Sequence, residues 1–475
     1  MSYDNPVVSP ARAPVGLARR APWGALLLMV AAAFMDLLDG TIVQIALPAI
    51  QRNLHVSDAD LQWTVSAYTL AFSLLLITGS RLGDRFGRKR TFLAGLAGFA
   101  TASALVAAAP DPGMLIGFRA LQGAAAALML PQVLTFIQAE FDPEPRRAAF
   151  AIYGMMLALA GASGPLLGGV LVQANLAGWG WRTIFLVNIP IGVTALAMGS
   201  RVIPASRPDH DRRLDPAGTI LLTLALLAVF YPLIEGRQLG WPAWSLACIG
   251  VAVPLLAAFA FLEARTRQPL IDLSLFRRRG SGIGLGIALV FFGTTSFFFI
   301  LTLFLQLGLG YSALRTGLSF VPFSIGIIIG SGGAAPLGKK YGRRAVTAGT
   351  FLMTLAVASM TVTAGPGIPG WHLAPSLAVA GVAFGIVSGS LADIVLGQLS
   401  ADKAAPASGV VNTVIQLGSV TAIAIIGVLF FGSLGHHPAL DAYVHATRTG
   451  LWYLTACSAA ATLGSLLLPV SREQS

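Results

Sequence analysis

Long apolar segments alternate with short polar turns along the whole chain. A helix needs about 20 apolar residues in a row to cross the hydrocarbon core of a membrane. Turn-forming residues such as Pro110 and Pro143 separate the segments. The pattern predicts an all-α polytopic membrane protein with 14 transmembrane helices, at 24–50, 61–80, 91–109, 114–138, 148–172, 183–200, 216–234, 242–263, 281–307, 315–337, 345–364, 372–398, 407–433 and 450–469.

Composition argues against an ordinary soluble protein. Of the 475 residues, 55% are hydrophobic and 11% are charged, whereas soluble domains carry about 25% charged residues. The competing interpretation, a very large soluble helical core, is therefore disfavoured. Cys248 and Cys457 both lie inside apolar segments, where a thiol acts as a small hydrophobic side chain rather than as half of a disulfide or a metal ligand.

The net charge of +11 could indicate a nucleic-acid partner, but the basic residues follow the loops. Twenty-five of the 31 Lys and Arg residues lie in one alternate set of loops and tails, against five in the other set. Basic loops stay on the cytoplasmic side of a membrane. The bias predicts a protein of the cell inner (plasma) membrane with both termini cytoplasmic, and no nucleic-acid partner.

The N-terminus imitates a signal peptide, because Arg19 and Arg20 precede an apolar stretch. The apolar character continues to Ile50, however, which is too long for the core of a signal peptide. We therefore expect an uncleaved first span that follows a cytoplasmic tail.

Two basic loops in corresponding places divide the chain into related halves. Residues 79–90, the first basic loop, hold five basic residues and one acid, and their glycines allow a tight turn. Residues 337–344, the second basic loop, match residues 82–89 in character, except that Lys339 replaces Asp84. The repeat pairs spans 1–6 with spans 9–14. The predicted domains are an N-tail (1–23), an N-terminal six-helix bundle (24–200), two inserted helices with flanking cytoplasmic loops (201–280), a C-terminal six-helix bundle (281–469) and a C-tail (470–475).

Few ionisable residues fall inside the predicted spans, and each costs at least about 2.5–3.5 kcal/mol at mid-bilayer. Asp36 and Asp39 are spaced i,i+3 in the first span, so they project from overlapping faces. A carboxyl group removed from water holds its proton more tightly and can exchange it near physiological pH. Asp39 is therefore a candidate proton or cation site in a water-reachable cleft between the halves; the alternative is a carboxylate permanently paired with Arg or capping broken backbone. Asp36 is an equivalent site or faces the cytoplasmic half of the cavity.

Arg119 in the fourth span and Asp393 in the twelfth are the other charged candidates. Arg119 is expected to face the bundle interior as the counter-charge to an acid; the alternative is a side chain that snorkels to the extracellular interface. Asp393 is a further candidate for proton or substrate binding, unless nearby serines and backbone satisfy it locally. Glu235 and Glu263 fall at span ends, so we expect them at the membrane interface.

The fifth span contains a run of small residues, from Gly161 to Gly169, that Pro165 interrupts. Small residues let helices approach closely, and proline removes a backbone hydrogen bond and bends a helix. Gly164, Pro165, Gly168 and Gly169 are therefore candidates for a hinge or gate; ordinary helix packing is the alternative. The 26 Phe residues suit a cavity for bulky lipophilic ligands, but phenylalanine also faces lipid, so no single Phe is assigned.

No catalytic constellation stands out in the sequence. The chain has no Walker A segment, so ATP hydrolysis is not expected. Its six histidines lie in loops or at span ends, without metal-ligand spacing. We therefore expect no enzymatic activity, no metal and no cofactor; a membrane-embedded enzyme or an assembly scaffold is the alternative from another class.

Several segments together resemble the drug:proton antiporters of the major facilitator superfamily, in their fourteen-span branch. The first basic loop resembles the superfamily's signature between spans two and three, with Asp84, Gly87 and Arg88 in the expected places and Ser80 where a glycine is usual. Residues 38–48 are similar to that branch's first-span motif, with Gln44 for Asn. Further similar segments are 63–68 in the second span, 119–123 around the fourth-span Arg, 164–169 as the antiporter motif with Ala160 for its leading Gly, and 181–190 at the start of the sixth span.

The resemblance implies the major facilitator fold, in which two rocking six-helix bundles give alternating access to a central site. It implies export of lipophilic antibiotics, drugs or organic cations in exchange for protons. The exporter is then a monomer in the lipid bilayer, and the proton gradient drives transport without a cofactor. Arg119 is then part of the proton-coupling circuit with Asp39. The implied cytoplasmic gating loop contains Gly83, Asp84, Arg85, Gly87 and Arg88, of which Asp84 contacts a neighbouring helix end. A proton-coupled symporter of a small organic solute with the same fold is the alternative function.

Overall fold

The chain consists of long helices joined by short turns in the computed structural model, which describes residues 22–206, 208–209, 214–266, 268–396, 401–435 and 438–469. No β-strand occurs within these ranges. The long helices, in chain order, are α1 Trp23–Leu54, α2 Asp58–Phe86, α3 Arg88–Ala108, α4 Pro112–Glu140, α5 Pro143–Ala174, α6 Gly180–Val202, α7 Pro216–Glu235, α8 Ala243–Arg265, α9 Arg279–Gly308, α10 Val321–Tyr341 with a short leading helix Ala313–Ser319, α11 Arg343–Thr363, α12 Ala374–Leu396, α13 Ala401–Leu434 and α14 Leu440–Ser465.

Thirteen of the described helices are long and apolar enough to cross a membrane. The fourteenth predicted span is also helical, as the 26-residue α14, but polar residues occupy its first turns. Large apolar side chains stand exposed on the outside of the molecule, among them Leu246 and Val253 of α8, as a surface that faces lipid requires. The prediction of an all-α, multi-pass membrane protein is confirmed.

Local side chains set where several helices begin. At the start of α2, the Asp60 N–H donates to Ser57 Oγ at 3.2 Å and the Ser57 N–H donates to Asp60 Oδ2 at 2.9 Å, a reciprocal capping box. Asp111 caps α4, where its Oδ1 accepts from the Met114 N–H at 2.9 Å. These caps satisfy backbone N–H groups that the first turn of a helix leaves unpaired.

In both basic loops a single glycine with a positive φ joins two helices, in keeping with the predicted repeat. Gly87, with a φ of 95°, is the one residue between α2 and α3, and Gly342, with a φ of 51°, is the one residue between α10 and α11. Most of each segment predicted as a loop is therefore helix. The charged side chains extend into the polar interface while the backbone keeps its helical hydrogen bonds, and one glycine reverses the chain. The side chain of Lys339 lies outside the described residues.

Each half packs internally, and helices of the two halves also contact each other. Helices α1–α6 pack on one another, as do α9–α14, and the two sets touch where α2 meets α13, α5 meets α10 and α1 meets α9. The inserted helices α7 and α8 pack as a pair, and α7 also contacts both α2 and α13. The domain boundaries drawn from the sequence stay predictions.

Contacts between the halves continue to the end of the molecule away from the basic loops, here called the far end. There Gln306 Nε2 donates to the Ile45 carbonyl at 2.9 Å, and the Leu314 N–H donates to Gln173 Oε1 at 3.3 Å. At the opposite end, the basic end, which carries both basic loops, a cavity of about 540 Å³ lies between the halves.

Glycine allows the closest approaches between helices within a half. A Cβ at Gly123 of α4 would lie 2.1 Å from the Tyr68 carbonyl oxygen of α2. A Cβ at Gly117 of the same helix would meet nothing within 4 Å. Only the first glycine is therefore required by packing.

We predict that Gly123→Ala destabilises the protein by about 1–3 kcal/mol, because α2 and α4 must move apart. Gly117→Ala is the matched control and is expected to be neutral or to stabilise by up to about 1 kcal/mol through helix propensity. Thermal unfolding of both variants in detergent measures the difference. Equal midpoints would contradict the packing of α2 on α4.

Candidate functional site

A buried ion pair lies inside the N-terminal half. Arg119 of α4 donates from Nη1 to Asp39 Oδ2 of α1, and both side chains are almost completely buried. Arg119 also donates to Gln122 Oε1 at 2.6 Å and, from Nε, to the Thr64 carbonyl at 3.1 Å. Arg119 thus faces the interior of the bundle, as the sequence predicts, and does not snorkel to a membrane surface.

Amide side chains complete the surroundings of Asp39. Gln122 Nε2 donates to Asp39 Oδ1 at 2.8 Å, and Asn188 Nδ2 of α6 donates to the same oxygen at 2.9 Å. Both amides also reach Ser103 Oγ of α3, at 2.9 and 3.3 Å. The Asp39 carboxylate therefore links α1 with α4 and α6, and the two amides extend the network to α3. No role was predicted for Gln122, Asn188 or Ser103. The two amides could have been recognised as candidates, because polar side chains inside apolar spans need hydrogen-bond partners.

Aromatic rings cover the remaining surface of Arg119. Its Cζ lies 4.3 Å from the ring centroid of Tyr68 and 5.6 Å from that of Phe185, distances at which a cation is attracted to a ring face. Among the described residues, its buried Nη2 has no hydrogen-bond partner. An unpaired buried donor costs about 1–3 kcal/mol, so a rearrangement of Arg119 that pairs Nη2 would recover part of that cost.

Asp36 has different surroundings from Asp39, one helical turn away toward the basic end. The Tyr68 hydroxyl donates to Asp36 Oδ1, and 7% of Asp36 is exposed. The Tyr68 ring stacks on Phe72, with the centroids 6.4 Å apart, and Phe72 lines the cavity at the basic end. Tyr68 therefore contacts Asp36 through its hydroxyl and Arg119 through its ring.

The position of Asp39 differs from the sequence-based expectation of a water-reachable cleft between the halves. In this conformation α1, α3, α4 and α6, all of the N-terminal half, enclose the carboxylate, and none of its hydrogen-bond partners lines the cavity. The physical reason is that donors on neighbouring helices compensate the desolvation of the charge. Of the two acids, Asp36 lies nearer the cavity, through Tyr68 and Phe72.

The cavity at the basic end has an apolar interior and a polar mouth. Its walls come from α2, α4, α5, α13 and the segment 268–275 that precedes α9. The apolar lining includes Phe72, Leu76, Leu130, Leu134 and Val410, and the polar lining includes Arg81, Asp84, Arg88, Gln138, Gln268 and Asp272. Such a cavity fits an apolar molecule that carries a polar or charged group.

The glycines of the predicted gating loop have distinct structural roles. A Cβ at Gly83 would lie 2.0 Å from Gln132 Oε1 of α4, and Gln132 Nε2 donates to the Gly79 carbonyl at 3.0 Å. Gly83 thus leaves room for a buried amide that ties α2 to α4. Gly87 supplies the left-handed turn between α2 and α3.

The charged residues of the predicted gating loop lie against the segments that flank the inserted helices. The Arg88 N–H donates to Ser206 Oγ at 2.7 Å, and the Asp84 carbonyl accepts from the Asp209 N–H at 2.8 Å. Asp84 and Arg88 both line the cavity. Arg85 lies over the exposed Phe86 ring, with its Cζ 5.6 Å from the centroid. The gating role of these residues stays a prediction.

The small-residue run of α5 lies at a seam between the halves. A Cβ at Gly164 or Gly168 would strike Thr41 or Ile42 of α1, at 1.9 and 3.0 Å. On the other side, Gly169 abuts Ala313 and Pro165 abuts Gly317, both in the C-terminal half. The run therefore lets α5 pack against both halves at once. Its action as a hinge stays a prediction.

Three further acids were singled out from the sequence. The side chain of Asp393 lies outside the described residues, so its role stays a prediction. Glu235 accepts from the Trp63 indole N–H at 2.9 Å at the far end of α7. Glu263 was expected at the interface, but only 2% of it is exposed, because residues 268–271 fold over it and the Ile271 N–H donates to its Oε2 at 3.0 Å. Within the described residues, no group of three or more His, Cys, Asp or Glu side chains could hold a metal ion.

We predict that Arg119→Met destabilises the protein by about 3–5 kcal/mol, because it leaves the Asp39 charge buried without its cation. The double variant Asp39→Asn/Arg119→Met is expected to recover most of that loss, since Gln122 and Asn188 can still donate to the side-chain amide oxygen at position 39. Thermal unfolding in detergent compares the midpoints of the wild type, Arg119→Met and the double variant. Arg147→Met, which replaces an exposed basic residue, is the control. A double variant no more stable than Arg119→Met alone would contradict the pairing.

Several curated proteins and solved structures are similar to this chain. The "Probable actinorhodin transporter" of Streptomyces coelicolor is 41% identical over 434 residues, which cover 90% of this chain and 75% of that protein. The "Tetracenomycin C resistance and export protein" of Streptomyces glaucescens is 32% identical over 475 residues, 98% of this chain and 86% of that protein. The puromycin resistance protein of Streptomyces alboniger is 35% identical over 421 residues, 86% of this chain and 82% of that protein.

Solved structures share the fold at low sequence identity. A bacterial homologue of the human lysosomal transporter Spinster superposes with a TM-score of 0.68 at 16% identity, over 95% of this chain and 98% of that one. A D-xylose–proton symporter superposes with a TM-score of 0.66 at 14% identity, over 96% of this chain and 100% of that one. In addition, residues 29–423 match the Major Facilitator Superfamily over most of the chain's length. The chain therefore belongs to the Major Facilitator Superfamily, a family of membrane transporters and not of enzymes.

Proposed function

We propose that this chain exports a lipophilic antibiotic, drug or organic cation in exchange for protons, by alternating access. The observation that carries the proposal is a buried Asp39–Arg119 pair that connects, through Tyr68, to a second acid, Asp36. Tyr68 in turn stacks on Phe72, which lines a cavity between the two halves. Similar proteins named for antibiotic resistance or export support the outward direction and the class of substrate.

The conformation described here fits the state that collects substrate. The cavity lies at the basic end, and the excess of basic residues in those loops supports a cytoplasmic location for that end. A lipophilic molecule entering from the cytoplasm or the inner leaflet meets an apolar interior, while a polar group on it stays at the charged mouth. Rocking of the halves would then close the basic end and open the far end.

Proton exchange occurs at Asp36 in this proposal, and the Asp39–Arg119 pair responds to it. A proton that binds the Asp36 carboxylate neutralises the acceptor of the Tyr68 hydroxyl. Tyr68 then loses a charge-assisted hydrogen bond, and its ring no longer has to stay over Arg119. The guanidinium, which already has one unpaired nitrogen, can shift relative to Asp39. The proton is thereby coupled to the helices that hold the pair.

The proposal also covers the membrane, the oligomeric state, the orientation and the energy source. It acts in the cell inner (plasma) membrane as a monomer, with both termini in the cytoplasm, and it uses the proton gradient without a cofactor. The positive charge of the loops at the basic end supports this orientation.

We predict that expression in a strain that lacks its own pumps lowers susceptibility to some lipophilic antibiotics or organic cations, and that a protonophore abolishes the protection. Asp36→Asn and Asp39→Asn are expected to reduce resistance to the level of the empty vector. The first variant lacks the carboxyl group that exchanges the proton, and the second leaves Arg119 without its carboxylate partner. Glu144→Gln, at an exposed acid of α5, is the control that keeps resistance. Immunoblots of membranes show that each variant is made.

Flux in inverted vesicles decides the direction. Exporter action predicts uptake of substrate into inverted vesicles with loss of the internal acid. Substrate uptake into whole cells together with protons would instead establish the symporter alternative, and full resistance by Asp36→Asn would remove Asp36 from the mechanism.

We also predict the orientation of the chain from single cysteines in a Cys248→Ser/Cys457→Ser background. Leu239→Cys, at an exposed position in the turn after α7, is expected to react with a membrane-impermeant maleimide on intact cells. Glu144→Cys, at the basic end, is expected to react only after permeabilisation. The opposite pattern would place the basic end outside and overturn the assignment.

A further inference from the structure

Two acids outside the transport site face each other at the basic end of the inserted helix pair. Asp215 caps the start of α7, where its Oδ1 accepts from the Gly218 N–H at 2.8 Å. Glu263 lies in the last turn of α8, where its Oε2 accepts from the Ile271 N–H. Each carboxyl group therefore uses one oxygen to hold backbone, and the second oxygens, Asp215 Oδ2 and Glu263 Oε1, are left over.

The two left-over oxygens meet beside Gly218. A Cβ on Gly218 would lie 2.5 Å from Asp215 Oδ2 and 2.6 Å from Glu263 Oε1. Both oxygens are buried, neither accepts a hydrogen bond from any described donor, and Glu263 as a whole is 2% exposed. Gly218 is thus the residue that allows the two carboxyl groups to approach.

No positive charge compensates the pair among the described residues. On α8, Arg265 turns away and lies over the Phe261 ring, with its Cζ 4.0 Å from the centroid. On α2, Arg81 donates to the carbonyls of Gln268 and Pro269. The segment 268–275 also contains an acid, Asp272, whose Oδ1 accepts from the Ser274 N–H at 2.9 Å. The two carboxyl groups interact chiefly with each other and with backbone.

Two ionised carboxylates in such a place would repel each other and leave two buried acceptors without donors, which is costly. One proton removes both problems, because it neutralises one acid and supplies a donor that lies between the two oxygens. We propose that Asp215 and Glu263 form a proton-binding site in which one proton bridges Asp215 Oδ2 and Glu263 Oε1.

This site is separate from the Asp36–Asp39 region and acts on the mouth of the cavity. The Glu263 carboxylate accepts from the Ile271 N–H, and two residues earlier the Pro269 carbonyl accepts from Arg81 of the first basic loop. Pro269, Leu270 and Arg81 all line the cavity. Loss of the bridging proton leaves the Asp215 and Glu263 carboxylates both negatively charged. They then repel each other where α7, α8 and the segment 268–275 meet. The mouth of the cavity is therefore held in place by a proton from the basic side of the membrane.

The test uses the purified full-length protein and does not depend on transport. Infrared difference spectra, recorded while the pH is raised from about 6 to about 9, are expected to show loss of a protonated-carboxyl band that Glu263→Gln and Asp215→Asn both lack. Glu235→Gln, at the other end of the same helix pair, is the matched control and keeps the band. Asp36→Asn separates any contribution from the transport site.

Thermal unfolding over the same pH range gives a second readout. The folded protein binds a proton that the free carboxyl groups of the unfolded chain lose, so the wild-type midpoint should fall as the pH rises. The fall should not exceed about 2–4 °C in a chain of 475 residues, because the midpoint shift for a given loss of stability shrinks with chain length. Glu263→Gln is expected to have a flat profile and a midpoint at high pH no lower than wild type, because its Nε2 can donate to Asp215 Oδ2 without a proton.

Three outcomes would overturn the proposal. The first is a Glu263→Gln protein that keeps both the infrared band and the falling midpoint. The second is a Glu263→Gln midpoint that lies as far below wild type at every pH as that of Glu263→Ala. The third is stabilisation of the wild type, but not of Glu263→Gln, by added sodium or magnesium, which would identify a cation site in place of a proton site.

Discussion

The buried ion pair of Asp39 and Arg119 is the interaction on which the N-terminal half depends. An uncompensated charge inside a membrane protein costs several kcal/mol, and removal of one partner leaves the other exposed to that cost. Further hydrogen bonds offset the cost of burying the pair. Gln122 and Asn188 donate to Asp39, and the Thr64 carbonyl and Gln122 Oε1 accept from Arg119. Four helices, α1, α2, α4 and α6, must keep their spacing to make these bonds, and α3 joins them through Ser103. A displacement of any one of them is therefore felt by the ion pair.

The inserted helices follow the same rule, since polar groups at their ends find partners on α2. At the far end, Arg237 Nη2 donates to Asp58 Oδ2 at 2.7 Å and the Trp63 indole donates to Glu235. At the basic end, the flanking segments hold α2 through Arg81 and the Asp84 carbonyl. The pair α7–α8 is thus fastened to both ends of one helix of the N-terminal half. Arg237 Nη1 also donates to the Phe431 carbonyl of α13 at 3.3 Å, so the inserted segment contacts both halves at the far end.

Hydropathy and charge predicted the helices and the interior direction of Arg119, because both follow from the cost of polar groups in lipid. The enclosure of Asp39 did not follow, since it depends on Asn188 and Ser103, which lie far along the chain and meet only when the bundle packs. The burial of Glu263 was missed for a similar reason. Its position at the end of a predicted span indicates the membrane interface, but residues 268–271 fold back over that helix end and cover it. The extent of helix in the basic loops was missed because charge interrupts a hydropathy pattern without interrupting backbone hydrogen bonds.

The contrast between Asp36 and Asp39 bears on how a proton can be coupled to movement. The Asp39 carboxylate accepts from Arg119, Gln122 and Asn188, so it is tied directly to α4 and α6, and in the proposed function it responds to movement of those helices. Asp36 accepts one hydroxyl bond and lies toward the cavity. We infer that exchange at Asp36 and rearrangement at Asp39 are sequential, with Tyr68 between them, because Tyr68 is the side chain that contacts both Asp36 and Arg119. Such an order would prevent a proton from crossing the N-terminal half while the helices stand still, which an antiporter must do to avoid dissipating the gradient that drives it.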